Sequence, residues 1–410
     1  MFFKMAIRNL LRNKRRTLIV LSSIIVGVAA TLLYDSINAG MINQMLVNQI
    51  NSYYSHIQIH KQGFNDNKLV TSYIPDYKNV EEVIQKQDYV RNYSKRVIAF
   101  GMLSSANSSA GISMLGIQPG NEKKVSNIYK MIIEGKYLSG KSNEILISKK
   151  MAEKLEVTLG DKVVAMAADI NGKVNSELFR IIGIYRSHTA EFDKVFVYVP
   201  IENARTILGL GDNVSEIAII TNNSDSTLSY KKQLVSAMKN AGVESNEVEV
   251  STYQELLAMI MYSIDIWKQT SIIIYLIIAL AVLFGVINTM LMSVFERVNE
   301  IGVLMSIGMR NSGIFRMIIL EAFMMGVVGT LIGFGIGVLI YLPLSNNGIN
   351  LGMYSESMQT FGLNNIIYPA LDSNVIINSI FIMPLATAVG AIYPARKAMK
   401  LQPTDAMRHV

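Results

Sequence analysis

Four long apolar runs divide this chain, at residues 17–33, 270–294, 314–342 and 375–392. Each is long enough for a membrane-spanning helix, the first once it is extended slightly at both ends. Between the first two runs the pattern changes. HIQIH (56–60), RVIAF (96–100), EILIS (144–148), FRIIGIY (179–185), KVFVYVP (194–200) and EIAIITN (216–222) alternate or are β-branched, with Gly, Asn and Asp at their borders, and predict strands. VEEVIQKQ (80–87), SKKMAEKLE (148–156), IENARTILG (201–209) and TLSYKKQLVSAMKNAG (227–242) carry helical spacing. Residues 52–252 therefore predict a soluble α+β domain, large enough to hold an inserted subdomain at about 116–215.

Helical patterning also runs past two of the spans. Ile37, Met41, Met45 and Asn48 repeat after the first apolar run, with Ile42, Leu46 and Ile50 beside them. Leu256, Leu257, Ile260, Met261, Ile264 and Trp267 form an apolar face before the second. The expectation is that helix 1 extends as a stalk over 17–51 and that stalk and helix 2 occupy 253–294. A cleaved signal peptide would share the basic start and apolar core, but not a helical pattern that continues beyond it. Met41, Met45, Met259, Met261 and Ile264 make Met-rich stalk faces. They serve as ordinary stalk core or as an adaptable apolar cleft for an acyl chain or amphipathic peptide, and both readings stand.

Charge fixes an orientation. Lys4, Arg8, Arg12, Lys14, Arg15 and Arg16 precede the first run, and residues 1–16 predict an amphipathic helix on the cytoplasmic surface. Bases recur in the 295–313 loop and the 393–410 tail, whereas the 343–374 loop has no Lys or Arg. Four spans with both termini cytoplasmic satisfy the positive-inside bias at every crossing. The net charge of +7 is thus accounted for by topology, and no aromatic-interleaved basic patch points to nucleic acid.

Other chemistry is thinly represented. The absence of Cys excludes a disulfide framework and a thiolate metal site. His56, His60, His188 and His409 form no close cluster, and HIQIH suggests a strand edge. GKYLSGKS (135–142) fits the phosphate-loop pattern formally, but a strand-like NEILIS follows where a helix should open, so a Gly/Ser turn between strands is expected. Gly329, Gly333 and Gly337, with Gly326 and Gly335 nearby, predict close helix packing in the third span. Glu321 near the start of that span would cost about 2.5–3.5 kcal/mol at mid-bilayer. Nearer the interface it serves either as a carboxylate paired with a base, Arg316 lying five residues away, or as a helix anchor. Pro384 interrupts the fourth span.

The stretch FERVNEIGVLMSIGMR (295–310) is a polar island between two spans. Glu296, Arg297 and Glu300 punctuate Val298, Ile301, Val303 and Leu304, and Gly302 and Gly308 mark a bend and an end. It predicts a small amphipathic helix on which another protein could push.

Three stretches carry a family resemblance. ERVNEIGVLMSIGMRNSGIFRMIILEA (296–322), YPARKAMKLQPTDAMR (393–408) and MAIRNLLRNKRRTLI (5–19) resemble the FtsX–MacB-like permeases of type VII ABC transporters. ILISKKMAEKLEVTLGDKV (145–163) and FRIIGIYRSHTAEFDKVFVYVPIENARTILGLGD (179–212) are most similar to the lipoprotein-releasing LolC/LolE group. The resemblance implies a bacterial inner-membrane permease with four transmembrane helices and a large porter-like α+β periplasmic domain with an inserted subdomain. It implies a dimer, homo- or heteromeric, bound to two copies of an ABC ATPase that carries ATP and Mg, with no cofactor on this chain. It implies a coupling helix at 296–310, with Glu296, Arg297, Glu300, Ile301, Gly302, Leu304 and Gly308 receiving the ATPase movement. The stalks would then relay that movement mechanically to release a lipoprotein to a periplasmic chaperone. Drug or peptide export through a partner tunnel, and regulation of a cell-wall hydrolase, are the alternatives. MacB-type members carry an ATPase on the same chain, and none is apparent in these 410 residues.

Overall fold

A computed structural model describes residues 14–244, 247–371 and 373–400. The expected amphipathic helix at 1–16, apart from its last three positions, and the tail beyond Lys400 lie outside the described residues. The chain divides into a helical unit (up to Ile42, Tyr262–Leu351 and from Ile366 onward) and an α/β unit (Asn43–Met261 and Gly352–Asn365).

In the helical unit the main elements are α1 (Lys14–Gln49), α2 (Ala258–Glu296), α3 (Val298–Ser306), α4 (Asn311–Asn347), α5 (Ser373–Gly390) and α6 (Ile392–Met399). Among the described residues three helical stretches are long and apolar enough to cross a membrane: Thr17–Tyr54, Ala258–Glu296 and Asn311–Asn347. At about 1.5 Å per residue each exceeds the roughly 30 Å hydrocarbon core by some 25 Å, and α1 and α2 continue into the α/β unit. The helix α5 lies over most of the expected fourth span and runs through Pro384, and it is not among those three.

Apolar side chains from all six helices share one core, including Ile24 and Val28, Val286 and Met290, Ile301, Ile318 and Met325, Met383, and Ala395. Glycines bring α4 against its neighbours. A Cβ on Gly333 would lie 2.8 Å from the Ile25 carbonyl oxygen, and one on Gly326 would lie 2.8 Å from Pro384 Cα. The four-residue glycine spacing is thus a packing surface, as lipid-embedded helices require.

In the α/β unit ten strands form one sheet: β1 (Ile57–Lys61), β2 (Val90–Ser104), β3 (Ser109–Ile117), β4 (Ile132–Gly135), β5 (Glu144–Ser148), β6 (Lys162–Ala168), β7 (Val174–Tyr185), β8 (Phe196–Pro200), β9 (Glu216–Thr221) and β10 (Val248–Thr252). Their order is β10-β1-β9-β2-β3-β8-β5-β7-β4, with β6 bridging β2 and β7. Pairing is antiparallel except between β3 and β8 and between β5 and β7. Of the strands in the 116–215 stretch, β4, β5, β7 and β8 occupy one end of the sheet and β6 joins that end to β2, so the hydrogen bonding is continuous.

Both faces of the central strands are covered. Val97, Ile145, Ile147, Val197 and Val199 point into a large aliphatic core shared with the helices Tyr77–Gln85, Lys149–Leu155 and Ile201–Leu208. The alternate residues Ile98, Leu146 and Tyr198 enter a second core with Tyr53, Phe64, Tyr185 and Phe192. Two-sided burial explains why EILIS is apolar at consecutive rather than alternate positions.

Candidate functional site

The polar island folds as expected into a short helix, α3, separated from α2 by the single residue Arg297. Its two faces differ. Ile301 and Gly302 are buried, and Ile301 packs into the helical core. Glu296, Glu300, Val303 and Ile307 face outward, with Ile307 79% exposed, and Leu304 is half-buried. Gly308 ends the helix with a φ of +95°, a backbone state that favours glycine.

Arg297 does not belong to the outward face. Its side chain is only 12% exposed. Its Nε donates to Glu300 Oε2 at 3.1 Å and its Nη1 to Glu321 Oε2 at 3.2 Å. Glu321 is buried on α4. The base that balances it is therefore Arg297 from the loop, not Arg316, and this corrects the pairing suggested by sequence proximity. Residues five apart stand about 140° around a helix from one another, so Arg316 points away from Glu321. The ion pair fastens the start of α3 to α4 inside a mostly apolar bundle.

The helix α6 borders the same segment. It buries Pro394, and it buries Ala395, Ala398 and the preceding Ala391 in the shared core; Tyr393, Arg396, Lys397 and the following Lys400 are exposed. Lys397 Nζ lies 4.9 Å from the Phe295 ring centroid, and Asn311 Nδ2 donates to the Met399 carbonyl at 3.3 Å.

Residues 17–237 match the MacB-like periplasmic core domain, and residues 272–403 match the FtsX-like permease C-terminal domain. The first match alone covers more than half of the chain. The chain belongs to the FtsX/MacB-like permeases of type VII ABC transporters. Its relatives differ in name. It is 22% identical to the lipoprotein-releasing system transmembrane protein LolC of Neisseria meningitidis, over 97% of both chains. It is 26% identical to the macrolide export ATP-binding/permease protein MacB of Acinetobacter baylyi, over 99% of this chain but 59% of that relative. It is 23% identical to the ABC transporter permease YknZ of Bacillus subtilis, over 99% and 98%.

In this permease the α/β unit receives α1 through a built joint. After Gln49 the helix widens into a π turn, Ile50–Tyr54. The Tyr53 carbonyl then accepts from Arg96 Nη1 at 2.6 Å and from Gln58 Nε2 at 3.3 Å. Arg96 is fully buried and also grips Glu122 through Nε (3.1 Å) and Nη2 (2.6 Å), and Glu216 through Nη1 (2.7 Å). His60 Nε2 sits 2.9 Å from the other Glu216 oxygen. Burial opposes the charge on Arg96, but the two carboxylates raise its pKa above the ordinary guanidinium value. Burial likewise pushes the Glu216 carboxyl up, yet Arg96 and His60 hold it below its ordinary 4.5. The strand HIQIH is therefore not at a sheet edge. It pairs on both sides, with β9 and β10, and His60 is spent on this network.

The second stalk leaves from the neighbouring strand. A capping box of Thr252 and Glu255 ends β10, and Glu255 is held by Lys231 at 2.6 Å. A cluster of Ile50, Tyr253 and Leu257, with Leu46, Ile260 and Met261 against it, packs at the two roots.

A third tether comes from the 343–374 loop. Asn48 Nδ2 donates to the Gly362 carbonyl at 2.9 Å and to Asn364 Oδ1 at 3.1 Å. Asn364 also bonds His188, whose imidazole burial holds below the ordinary 6.5.

The five Met-rich stalk positions are not equivalent. Met45 and Ile264 are buried, Met41 and Met261 half-buried, and Met259 is 82% exposed. The 135–142 stretch is a connection between β4 and β5 with no helix at its Gly-Lys, and its Ser139 amide and hydroxyl bind Glu144. Sequence reasoning passed over Asp35, which is buried on α1 and accepts from the Tyr275 hydroxyl of α2. A lone acid at the end of an apolar run was the available signal.

Proposed function

We propose that this permease works by mechanotransmission, in a complex with a separate ABC ATPase that binds ATP and Mg. In this reading α1, α2, α4 and α5 are four spans, with both termini and α3 in the cytoplasm. Two permease chains pair, and two ATPase copies press on the α3 face formed by Glu296, Glu300, Val303, Leu304 and Ile307. Arg297, Ile301 and Gly302 then have a different task from the one their place in the segment suggested. They hold α3 to the bundle, and Gly308 ends it.

The observation that carries the reading is the Arg297–Glu321 pair, its carboxylate buried and its guanidinium 12% exposed. A helix joined to its neighbour only by flexible turns would absorb a push. One tied by an ion pair and by Ile301 in the core passes displacement to α4.

The cargo proposed is a lipoprotein, released from the outer leaflet to a periplasmic carrier. Full-length similarity to a lipoprotein-releasing subunit supports it. Each acyl CH₂ withdrawn from lipid costs about 0.8 kcal/mol, so extraction needs an external energy source. Similarity to a macrolide exporter favours small-molecule or peptide export as the second reading.

Reconstitution with the partner ATPase in proteoliposomes distinguishes them. ATP-dependent appearance of an acylated protein in the soluble fraction is expected. Equal movement of an acyl-free substrate would overturn lipoprotein release. For coupling, Glu300→Lys and Gly302→Leu should leave the α/β unit folded and abolish ATP-driven release. Unchanged release in both variants would refute the role given to α3.

A further inference from the structure

We infer that α6 is the second half of the ATPase docking surface, and that it recognises an acidic patch on the ATPase. The inference rests on the coupling role given to α3. Its own evidence is the way the sequence builds α6. The buried side is Ala391, Pro394, Ala395 and Ala398, short side chains that lay the helix close on the core containing Ile301, Ile314 and Ile318. The exposed side places Arg396, Lys397 and Lys400 within five residues. None of the three has a carboxylate partner among the described residues.

The helix is also registered to the two helices that flank α3, one contact at each. The Lys397 ammonium stacks on Phe295, where α2 runs out, and the Met399 carbonyl accepts from Asn311, where α4 begins. A cation over an aromatic ring retains its charge for a partner while its position is fixed. A basic segment that serves anionic lipid needs charge near the bilayer but no registration to a neighbouring helix. Fixed cations on a helix that shares its core with Ile301 of α3 suit a folded protein surface of opposite charge instead.

The test uses the full-length permease in nanodiscs and the purified ABC ATPase that co-purifies with it. Arg396→Glu, Lys397→Glu and Lys400→Glu are made singly and together, with Arg396→Lys and Lys397→Arg as charge-conserving controls, and Glu300→Lys as a probe of α3. The combined reversal should weaken ATPase binding at least tenfold in zwitterionic nanodiscs and flatten its salt dependence. The melting curve should be unchanged, and the charge-conserving controls should bind within about twofold of the parent. Three results would overturn the inference. One is binding within twofold for the combined reversal while Glu300→Lys weakens it, which leaves α3 as the docking surface alone. Another is a loss seen only with anionic lipid, which makes α6 a membrane anchor. The last is no loss in any variant, including Glu300→Lys, which removes the coupling reading itself.

Discussion

Replacing Arg96 with Met tests whether the joint beneath α1 depends on buried charge. Arg96 satisfies two carboxylates and one carbonyl with no solvent access. Methionine fills much of the volume but leaves Glu122 and Glu216 buried without their cation. Removing one partner of a buried pair typically costs about 3–5 kcal/mol, a large part of the roughly 5–15 kcal/mol that a domain possesses. At about 1.4 kcal/mol per factor of ten, the change is roughly 10²–10⁴-fold in local opening. Amide exchange on the full-length protein in detergent reads this directly, on peptides covering β1, β2 and β9, provided closing outruns exchange. Lys95→Met is the comparison, because the Lys95–Glu81 side chains keep 16% and 17% of their surface in solvent while Arg96 keeps none, so its loss should cost less than that of Arg96. Adding Glu122→Gln and Glu216→Gln to Arg96→Met should recover most of the loss, since neutral groups need no counter-ion. The pH dependence has a definite sign. The Glu216 pKa is depressed on folding, so its contribution is complete above about 4.5 and is lost as pH falls through the folded value. In the Met variant Glu216 keeps His60 but loses its guanidinium, so burial raises it relative to the parent, and the deficit should be largest at pH 7 and shrink towards pH 4. An Arg96→Met effect no larger than that of Lys95→Met, or a deficit that grows on acidification, would refute the account.

Gly333→Leu should lower the melting temperature in detergent through overpacking of about 1–3 kcal/mol or more, whereas Gly335→Ala, which meets nothing within 4 Å, should be neutral. Equal effects would mean that α4 does not pack on α1 through Gly333. Tyr275→Phe removes the hydroxyl that Asp35 accepts and should cost about 1–3 kcal/mol by the same melt. A loss below the scatter of the melt would show that Asp35 is satisfied otherwise. Asn48→Ala should raise amide exchange at residues 352–365 several-fold while β5 and β8 keep their protection, and uniform exchange would deny the tether.

Much of the chain's architecture follows from local pattern. The stalks, most strands and α3 each announce themselves within a window of about ten residues. β3 does not, because SAGISMLGI reads as a Gly/Ser loop. Its Gly116 is there for packing: a Cβ would come within 2.4 Å of Ala204 Cβ on the helix Ile201–Leu208. The site was legible in a different measure. The position of α3 could be found from charge and apolar alternation, but not the inward turn of Arg297. Its partner Glu321 is 24 residues away, and Arg96 meets Glu216 across 120. Each of these residues is a charge placed where a buried side chain was due. That signals a partner somewhere, and only the fold says where.

Stalk motion becomes useful only if the first contacts inside the α/β unit are stiff. A helix that ended in a glycine-rich linker would bend at the linker. Here α1 runs into a π turn whose Tyr53 carbonyl is held by Arg96, and α2 is preceded by a capping box clamped by Lys231. The strands adjoining them, β1 and β10, are antiparallel neighbours paired from Ile57–Thr252 to Lys61–Val248. Any displacement of one root along its strand relative to the other is therefore a shear on that single ladder. Slipping it by one residue would turn every side chain of β1 to the opposite face. His60 would then leave Glu216, and Ile57 and Ile59 would leave the core. A ladder that resists slippage moves as a whole, so under the proposed mechanotransmission the two stalk roots would act as one handle rather than as two independent levers.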